Sequence, residues 1–175
     1  IGKELKCDPT QVVKDLSVTG IKGKPKVGYN VYELCQVIEN YLGFNKPNEA
    51  FLIGAGNLGS ALMAYQESQT LGLKIIAAFD VDKDKVGTQI GGIHVLEYGK
   101  IFSLADRLKV KIAILTTPNN VAQWVAEELV DCGIKAIWNF TLTNLDLPGD
   151  IIIENTSMSA FAAVLLRRLN DSIIK

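Results

Sequence analysis

Three glycines and an acid carry the most specific chemistry in this chain. The apolar run Ala50-Phe51-Leu52-Ile53 ends in Gly54-Ala55-Gly56-Asn57-Leu58-Gly59, and the run Lys74-Ile75-Ile76-Ala77-Ala78-Phe79 ends in Asp80, 21 residues after Gly59. A Gly-x-Gly-x-x-Gly spacing of this kind suits a dinucleotide. Gly54 permits a tight turn off a first strand. Gly56 lets the backbone approach a pyrophosphate where a Cβ would collide with it, and Gly59 lets the following helix lie close on the strand. Free N–H groups at the helix start, with the positive end of the helix dipole, attract the phosphates. Asp80 can accept hydrogen bonds from a ribose diol, with Val81 beside it. Its charge repels a 2′-phosphate, which favours NAD(H) over NADP(H). Lys83 and Lys85 weaken that preference without reversing it. The plainer reading is a glycine-rich strand–helix turn that binds nothing. A strand before, a helix after, and an acid at the expected distance argue against it.

Those residues need a frame. From Ala50 onward strand and helix patterns alternate, which predicts a parallel sheet with right-handed crossovers. After Asp80 come a charged turn, Gly91-Gly92 and a short strand Ile93–Leu96, then a helix from Gly99 to Leu108. Lys111–Thr116 reads as a strand, with Asn119 expected to cap the amphipathic helix that follows to Cys132. Ile134–Asn139 and Ile151–Ile153 read as the last strands, and Ser159–Ile174 as an apolar C-terminal helix. Ligands on such sheets bind at the carboxyl ends of the strands. That places Thr116, Thr117 and Pro118, and also Asn139 and Phe140, beside Gly54–Gly59. Asn139 could bond a carboxamide and Phe140 could pack on a flat ring; turn chemistry and core packing are the alternative.

The segment before the sheet has a different character. Residues 1–30 hold six lysines and three acids. Asp8 is a good N-cap and Pro9 suits a first helical position, so Pro9–Ser17 reads as the second helix of a helix-turn-helix. The stretch from Gly20 to Tyr29 reads as a β-like hairpin decorated by lysines, either a basic wing or a solvated loop. Val31–Leu42 carries a wide apolar stripe. The chain opens inside helical composition, so a preceding helix of the winged helix is expected to be missing.

At 48% hydrophobic and 21% charged residues, the 175-residue chain can bury an ordinary core, and a net charge of −1 points to no polyanionic partner by itself. The cysteines, Cys7, Cys35 and Cys132, are odd in number and lack metal or redox spacing, as expected of reduced thiols in the cytoplasm. No apolar run is long enough to span a membrane, and no signal peptide is visible. Catalytic equipment is scarce. The single histidine, His94, sits inside a short strand, and none of Tyr29, Tyr32, Tyr41, Tyr65 and Tyr98 has a lysine four residues on. No catalytic or metal-ligating set is expected. A dinucleotide site joined to a basic helical module suggests a sensor.

The chain resembles the Rex family of NADH-sensing transcriptional repressors over nearly its whole length. The resemblance is carried by Gln11–Ser17, Val27–Val31, Ile53–Gly59, Ala77–Asp82, Lys85–Gly87, Ile90–Gly92, and Gly133–Lys135 leading to Asn139-Phe140-Thr141. It implies a partial winged helix (1–45), a Rossmann-type NAD(H)-binding domain (46–156) and a C-terminal helix (157–175) swapped between the subunits of a cytoplasmic homodimer. Gly54, Ala55, Gly56, Asn57, Leu58 and Gly59 would hold the pyrophosphate and Asp80 the adenosine ribose. Thr116, Thr117 and Pro118 would supply the neighbouring backbone, and Asn139 and Phe140 the nicotinamide end. Gln11 and Lys14 would face double-stranded operator DNA, with Lys24 and Lys26 in the wing. Repression would lift as the NADH/NAD⁺ ratio rises. The chain departs from the family pattern at Val13, where a basic residue is usual, and at Lys24-Pro25-Lys26, where Lys-Arg-Gly or Lys-Lys-Gly is usual. It departs again at Thr156-Ser157-Met158, where an Asp usually helps couple cofactor to DNA. The alternatives are an NAD(H)-binding protein with lost DNA readout, a small dehydrogenase, or a CoA-binding subunit.

Overall fold

The computed structural model describes residues 1–25, 27–45, 48–65 and 72–173. They fall into two compact units, Ile1–Pro47 with Thr70–Gly72, and Asn48–Gln69 with Leu73–Lys175. Lys26, and the expected helix end at Ile174, lie outside the described residues.

The first unit is helical. A short helix α1 (Gly2–Leu5) precedes α2 (Pro9–Ser17). Asp8 caps α2, its carboxylate accepting from the N–H groups of Thr10 (2.8 Å) and Gln11 (3.3 Å). Those bonds, Thr10's first, hold the Asp8 carboxyl below its usual pKa. α3 (Val31–Leu42) is capped by Asn30, which accepts from Glu33 N–H at 3.1 Å, and ends at Gly43 with φ +76°. Two expectations are corrected here. Among the described residues the basic hairpin is reduced to one antiparallel bridge, Lys24 with Gly28, which closes a tight turn with Gly28 at φ +90°. The stripe on α3 buries Leu34 and half-buries Val37 and Ile38, while Val31, Cys35, Tyr41 and Leu42 are exposed.

The second unit is a seven-stranded sheet in the order β3-β4-β2-β1-β5-β6-β7. Its strands are β1 (Asn48–Ile53), β2 (Leu73–Asp80), β3 (Gln89–Ile90), β4 (Ile93–Glu97), β5 (Ile112–Leu115), β6 (Ala136–Asn139) and β7 (Ile152–Asn155). All pairings are parallel except β3 with β4. The expected parallel sheet is therefore a mixed one. The cause is local: Gly91 (φ +56°) and Gly92 (φ +83°) form a two-residue hairpin turn with both φ positive, which folds Gln89-Ile90 back on Ile93-His94.

Helices cover both faces, so Ala50–Ile53, Ile75–Phe79 and Ile112–Leu115 are apolar at successive positions rather than at alternate ones. On one face α5 (Ile101–Leu108) and α6 (Asn119–Asp131) pack Ile101, Ala105, Ala122, Val125, Ala126 and Leu129 against Phe51, Ile53, Phe79, Leu115 and Ile137. On the other, α4 (Asn57–Ala64) packs Leu62 and Met63 against Ala50, Leu52, Ala78 and Ile114. A 3₁₀ turn, Tyr98–Lys100, precedes α5 where helix was expected from Gly99. Asn119 is the first residue of α6 but does not cap it; its side chain accepts from Leu142 N–H at 2.9 Å. The last helix, α7 (Met158–Ile173), buries none of its residues. No helix among the described residues is long and apolar enough to cross a membrane.

Candidate functional site

β1 lies between β2 and β5, and the chain leaves it in opposite directions, outward to β2 and later to β5. At such a switch point the connections diverge and a crevice opens at the carboxyl ends of the strands. Gly54 begins one wall. Its N–H donates to Phe79 O (2.8 Å), while Thr116 N–H donates to Ile53 O (2.9 Å). The three glycines act differently. Gly54 turns at φ +97°, and a Cβ there would lie 2.8 Å from Thr116 O. At Gly59 a Cβ would lie 2.1 Å from Gly54 O, so only glycine lets α4 sit this close to the strand end. A Cβ at Gly56 would meet nothing within 4 Å. Gly56 is thus free for a reason outside the packing, and the N-terminus of α4 that it opens has no side-chain cap.

Asp80 is nearly buried, at 9% exposure. One carboxylate oxygen accepts from Ala55 N–H at 2.7 Å; the other accepts from Asp82 N–H at 2.9 Å. The acid therefore fastens the glycine loop to the end of β2 besides presenting charge at the crevice. Lys85 Nζ lies 3.5 Å from Asp80 and 3.4 Å from Asp82. Burial works against the Lys85 charge, but the two carboxylates outweigh it and raise the pKa.

Beside Asp80 lies a cavity of about 150 Å³ with almost wholly apolar walls, among them Ile53, Phe79, Val81, Tyr98, Pro118, Val121 and Trp124. Thr117 also lines it, and the Thr117 hydroxyl oxygen is buried with no hydrogen-bond partner. An orphaned buried hydroxyl beside an apolar cavity, with an acid at its edge, fits a heteroaromatic base and its ribose. Tyr98 donates to Glu128 at 2.7 Å, and its ring lies 6.0 Å from that of Trp124. Burial, then Glu128, pushes the Tyr98 hydroxyl well above its usual pKa. Sequence reasoning missed Tyr98 and Trp124 as walls of this slot. Trp124 sits in an apolar helix stripe indistinguishable from core, and nothing in the spacing joins it to Tyr98.

The other expected residues divide. Thr116 turns its hydroxyl to Gly54 O (2.8 Å) and Ile53 O (3.0 Å), holding the loop in place. Asn139 is fully buried. Its amide nitrogen donates to Thr143 O (3.0 Å) and Asn155 Oδ1 (2.8 Å), and its oxygen accepts from the N–H (2.9 Å) and hydroxyl (2.7 Å) of Thr141. In this arrangement Asn139 shapes the loop after β6 and has no bond left over for a carboxamide. Phe140 is half-buried against Trp138, with ring centroids 4.8 Å apart. Asn57 and Leu58 are exposed in the first turn of α4. His94 is exposed in the β3–β4 hairpin, and no group of acids, histidines or cysteines among the described residues could hold a metal.

In the helical unit Gln11, Lys14 and Lys24 are exposed. Gln11 is tied to Asp15 by a 2.7 Å hydrogen bond. Neither Lys14 nor Lys24 takes part in an ion pair among the described residues.

Residues 45–143 match the family model described as a CoA binding domain. The whole chain is 43% identical to the redox-sensing transcriptional repressor Rex of Bacteroides thetaiotaomicron, covering 80% of that protein. It is 46% identical over 165 residues to that of Treponema denticola, covering 94% of this chain and 79% of the relative. Among solved structures it superposes on RSP, a Rex-family repressor, in complex with β-NAD⁺ and operator DNA. That match has a TM-score of 0.92 and 34% identity, over 99% of this chain and 80% of the other. For RSP in complex with β-NADH the TM-score is 0.89 at 33% identity, over 99% and 81% of the two chains.

Proposed function

The chain belongs to the Rex family of redox-sensing transcriptional repressors, and from that premise we propose that it binds operator DNA through residues 1–45 and NAD(H) through residues 46–156, releasing the operator as the NADH/NAD⁺ ratio rises. Its role is regulation in the cytoplasm rather than catalysis. The observation that carries the NAD(H) reading is the division of labour among the glycines. Gly54 and Gly59 are required by packing, whereas a Cβ added at Gly56 would meet no protein atom within 4 Å.

The parts act as follows. The loop N–H groups around Gly56 and the start of α4 receive the pyrophosphate. Ala55 N–H, held by Asp80, fixes the loop before ligand arrives, so little ordering entropy is lost on binding. The remaining lone pairs of Asp80 face the adenosine ribose, and the slot of Thr117, Pro118, Tyr98 and Trp124 takes the base. Phe140, on the far side of the crevice, packs on the nicotinamide, whose redox state is the signal. Gln11 and Lys14 on α2, with Lys24 and Lys26, supply DNA contacts; the lysines mainly neutralise phosphates. α7 is the dimer element. Phe161, Leu165 and Leu169 are exposed on a helix that buries nothing within its own chain, and exchange between two copies would cover them. By linkage, NADH that weakens DNA binding must itself bind the DNA complex less well by the same factor.

The test is binding to a palindromic AT-rich duplex, titrated separately with NADH and NAD⁺ at two salt concentrations. Release by NADH but not NAD⁺ is expected. NADH binding without any duplex binding would leave a cofactor-binding dimer of another kind. The CoA binding domain match favours CoA as a second occupant of the crevice, and competition of CoA against bound NADH decides it.

A further inference from the structure

We propose that Trp138, fastened by Thr156, is a positioning residue that ties the Phe140 side of the crevice to the start of α7; this rests on the NADH-responsive reading above. Trp138 lies on β6 and Phe140 is the first residue beyond it, and both rings pack against the same hydrophobic cluster on one side of the sheet. They touch, tilted at 44°. A half-buried indole N–H needs an acceptor. Here the acceptor is the Thr156 hydroxyl, at 2.8 Å. Thr156 is the first residue beyond β7 and lies two residues before α7 begins.

The same short leader is bound to the end of β6 at two more points. Thr156 N–H donates to Asn139 O at 2.9 Å, and Asn139 Nδ2 donates to Asn155 Oδ1 at 2.8 Å. Its next residue, Ser157, caps α7, accepting from Ala160 N–H at 3.2 Å. Phe140, Trp138, Thr156 and the Ser157 cap therefore form one unbroken run from the crevice to the helix. Of these three ties, the indole bond is the one made by a ring that touches Phe140. A flat ring seated on Phe140 shifts the indole, and the indole is bonded to the residue that precedes the cap of α7.

The test uses the full chain with Trp138→Phe, which keeps a ring and removes the donor, and Thr156→Val, which keeps the shape and removes the acceptor. Thr156→Ser is the conservative rescue. NADH affinity is read from NADH fluorescence, and release from the palindromic duplex by its NADH midpoint. Both variants are expected to bind NADH within about twofold of the unmodified chain yet to need about tenfold more NADH for release. Thr156→Ser should behave as unmodified, and the double variant should be no worse than either single one. Midpoints that simply follow NADH affinity, or additive effects in the double variant, overturn the proposal. Hydrogen exchange in the first turn of α7 gives a readout without DNA. NADH should change protection there in the unmodified chain and not in Thr156→Val; the same response in both overturns it. If the unmodified chain binds NADH and shows this exchange difference but never releases a duplex, the repressor reading fails while the coupling stands. If the unmodified chain does not bind NADH, both fall.

Discussion

Gly56→Ala isolates the cofactor from the fold. Gly56 sits at φ −74°, ψ −168°, an extended conformation open to any residue, and a methyl there meets no protein atom within 4 Å. Two small terms oppose each other. Alanine is a poorer N-cap than glycine, by up to about 1 kcal/mol, and replacing glycine restrains the unfolded chain by about 0.4–1 kcal/mol. The net change in stability should stay within about 0.5 kcal/mol, or about 1–2 °C in Tm for a chain of this size. Binding should respond differently. The methyl occupies the approach of a pyrophosphate to the loop N–H groups and lengthens one or two charge-assisted hydrogen bonds, each worth about 1.5–3 kcal/mol. Losing about 2–3 kcal/mol raises the Kd for NADH roughly 30- to 150-fold. Thermal melting and NADH fluorescence titration read the two quantities. Gly59→Ala is the contrasting case. Its Cβ meets Gly54 O at 2.1 Å, so α4 must lift off the strand, at a cost of about 1–3 kcal/mol, and both stability and binding fall. A Gly56→Ala chain with unchanged Tm and NADH affinity within threefold of the original would refute the reasoning, because no pyrophosphate could then lie over that residue.

Asp80→Asn leaves one acceptor oxygen where Ala55 and Asp82 N–H groups now use two; NADH binding should weaken about tenfold, and loss of the charge should narrow the gap between NADH and NADPH in competition titrations. Lys14→Ala and Lys24→Ala should each lower the slope of log K against log salt for duplex binding by about 0.9 while leaving NADH affinity of the protein alone unchanged; a slope that does not move shows that the lysine meets no phosphate. Leu165→Glu puts a charge on the exposed apolar face of α7 and should turn the proposed dimer to monomer in sedimentation equilibrium, without loss of the sheet signal in circular dichroism. Burial first, then Glu128 and Asp131, raise the Cys132 thiol above its usual pKa, so its reactive thiolate forms at higher pH than a free thiol's. With Cys7 and Cys35 exposed, iodoacetamide at pH 8 should label those two before Cys132, as mass spectrometry of peptides will show.

The crevice was legible where a residue's job follows from its type. Gly54, Gly59 and Asp80 sit at fixed distances along the chain because strand, turn and helix geometry set those distances, and such local arithmetic survives folding. Asp8 and Gly43 were legible as helix boundaries for the same reason. Asn139 was not. Its type and its place at a strand end suit ligand binding and loop bracing equally, and only folding brings Thr141, Thr143 and Asn155 around it as bracing partners. The β3–β4 hairpin escaped because two residues of strand carry no periodicity; its one signal was the Gly91-Gly92 pair itself. The Lys24–Gly28 turn was read as a ribbon because lysines and glycines mark a hairpin without setting its length. Trp138 with Thr156, and Tyr98 with Trp124, are pairings across helices and strands. No spacing rule joins residues brought together by sheet order.

The place of β1 also bears on how the protein is made. It is the innermost strand by contact, with Ala50, Phe51, Leu52 and Ile53 essentially inaccessible to water, yet its two neighbours are synthesised far apart. β2 follows after one helix. β5, its other partner, emerges only after β2, the β3–β4 hairpin and α5 have been translated. At about 5–20 residues per second the ribosome therefore holds a half-sheet for several seconds with an apolar strand unpaired along one edge. An unpaired apolar edge favours aggregation, and a destabilising change in Ile112–Leu115 should lower the yield of folded protein in cells by more than its effect on the finished sheet.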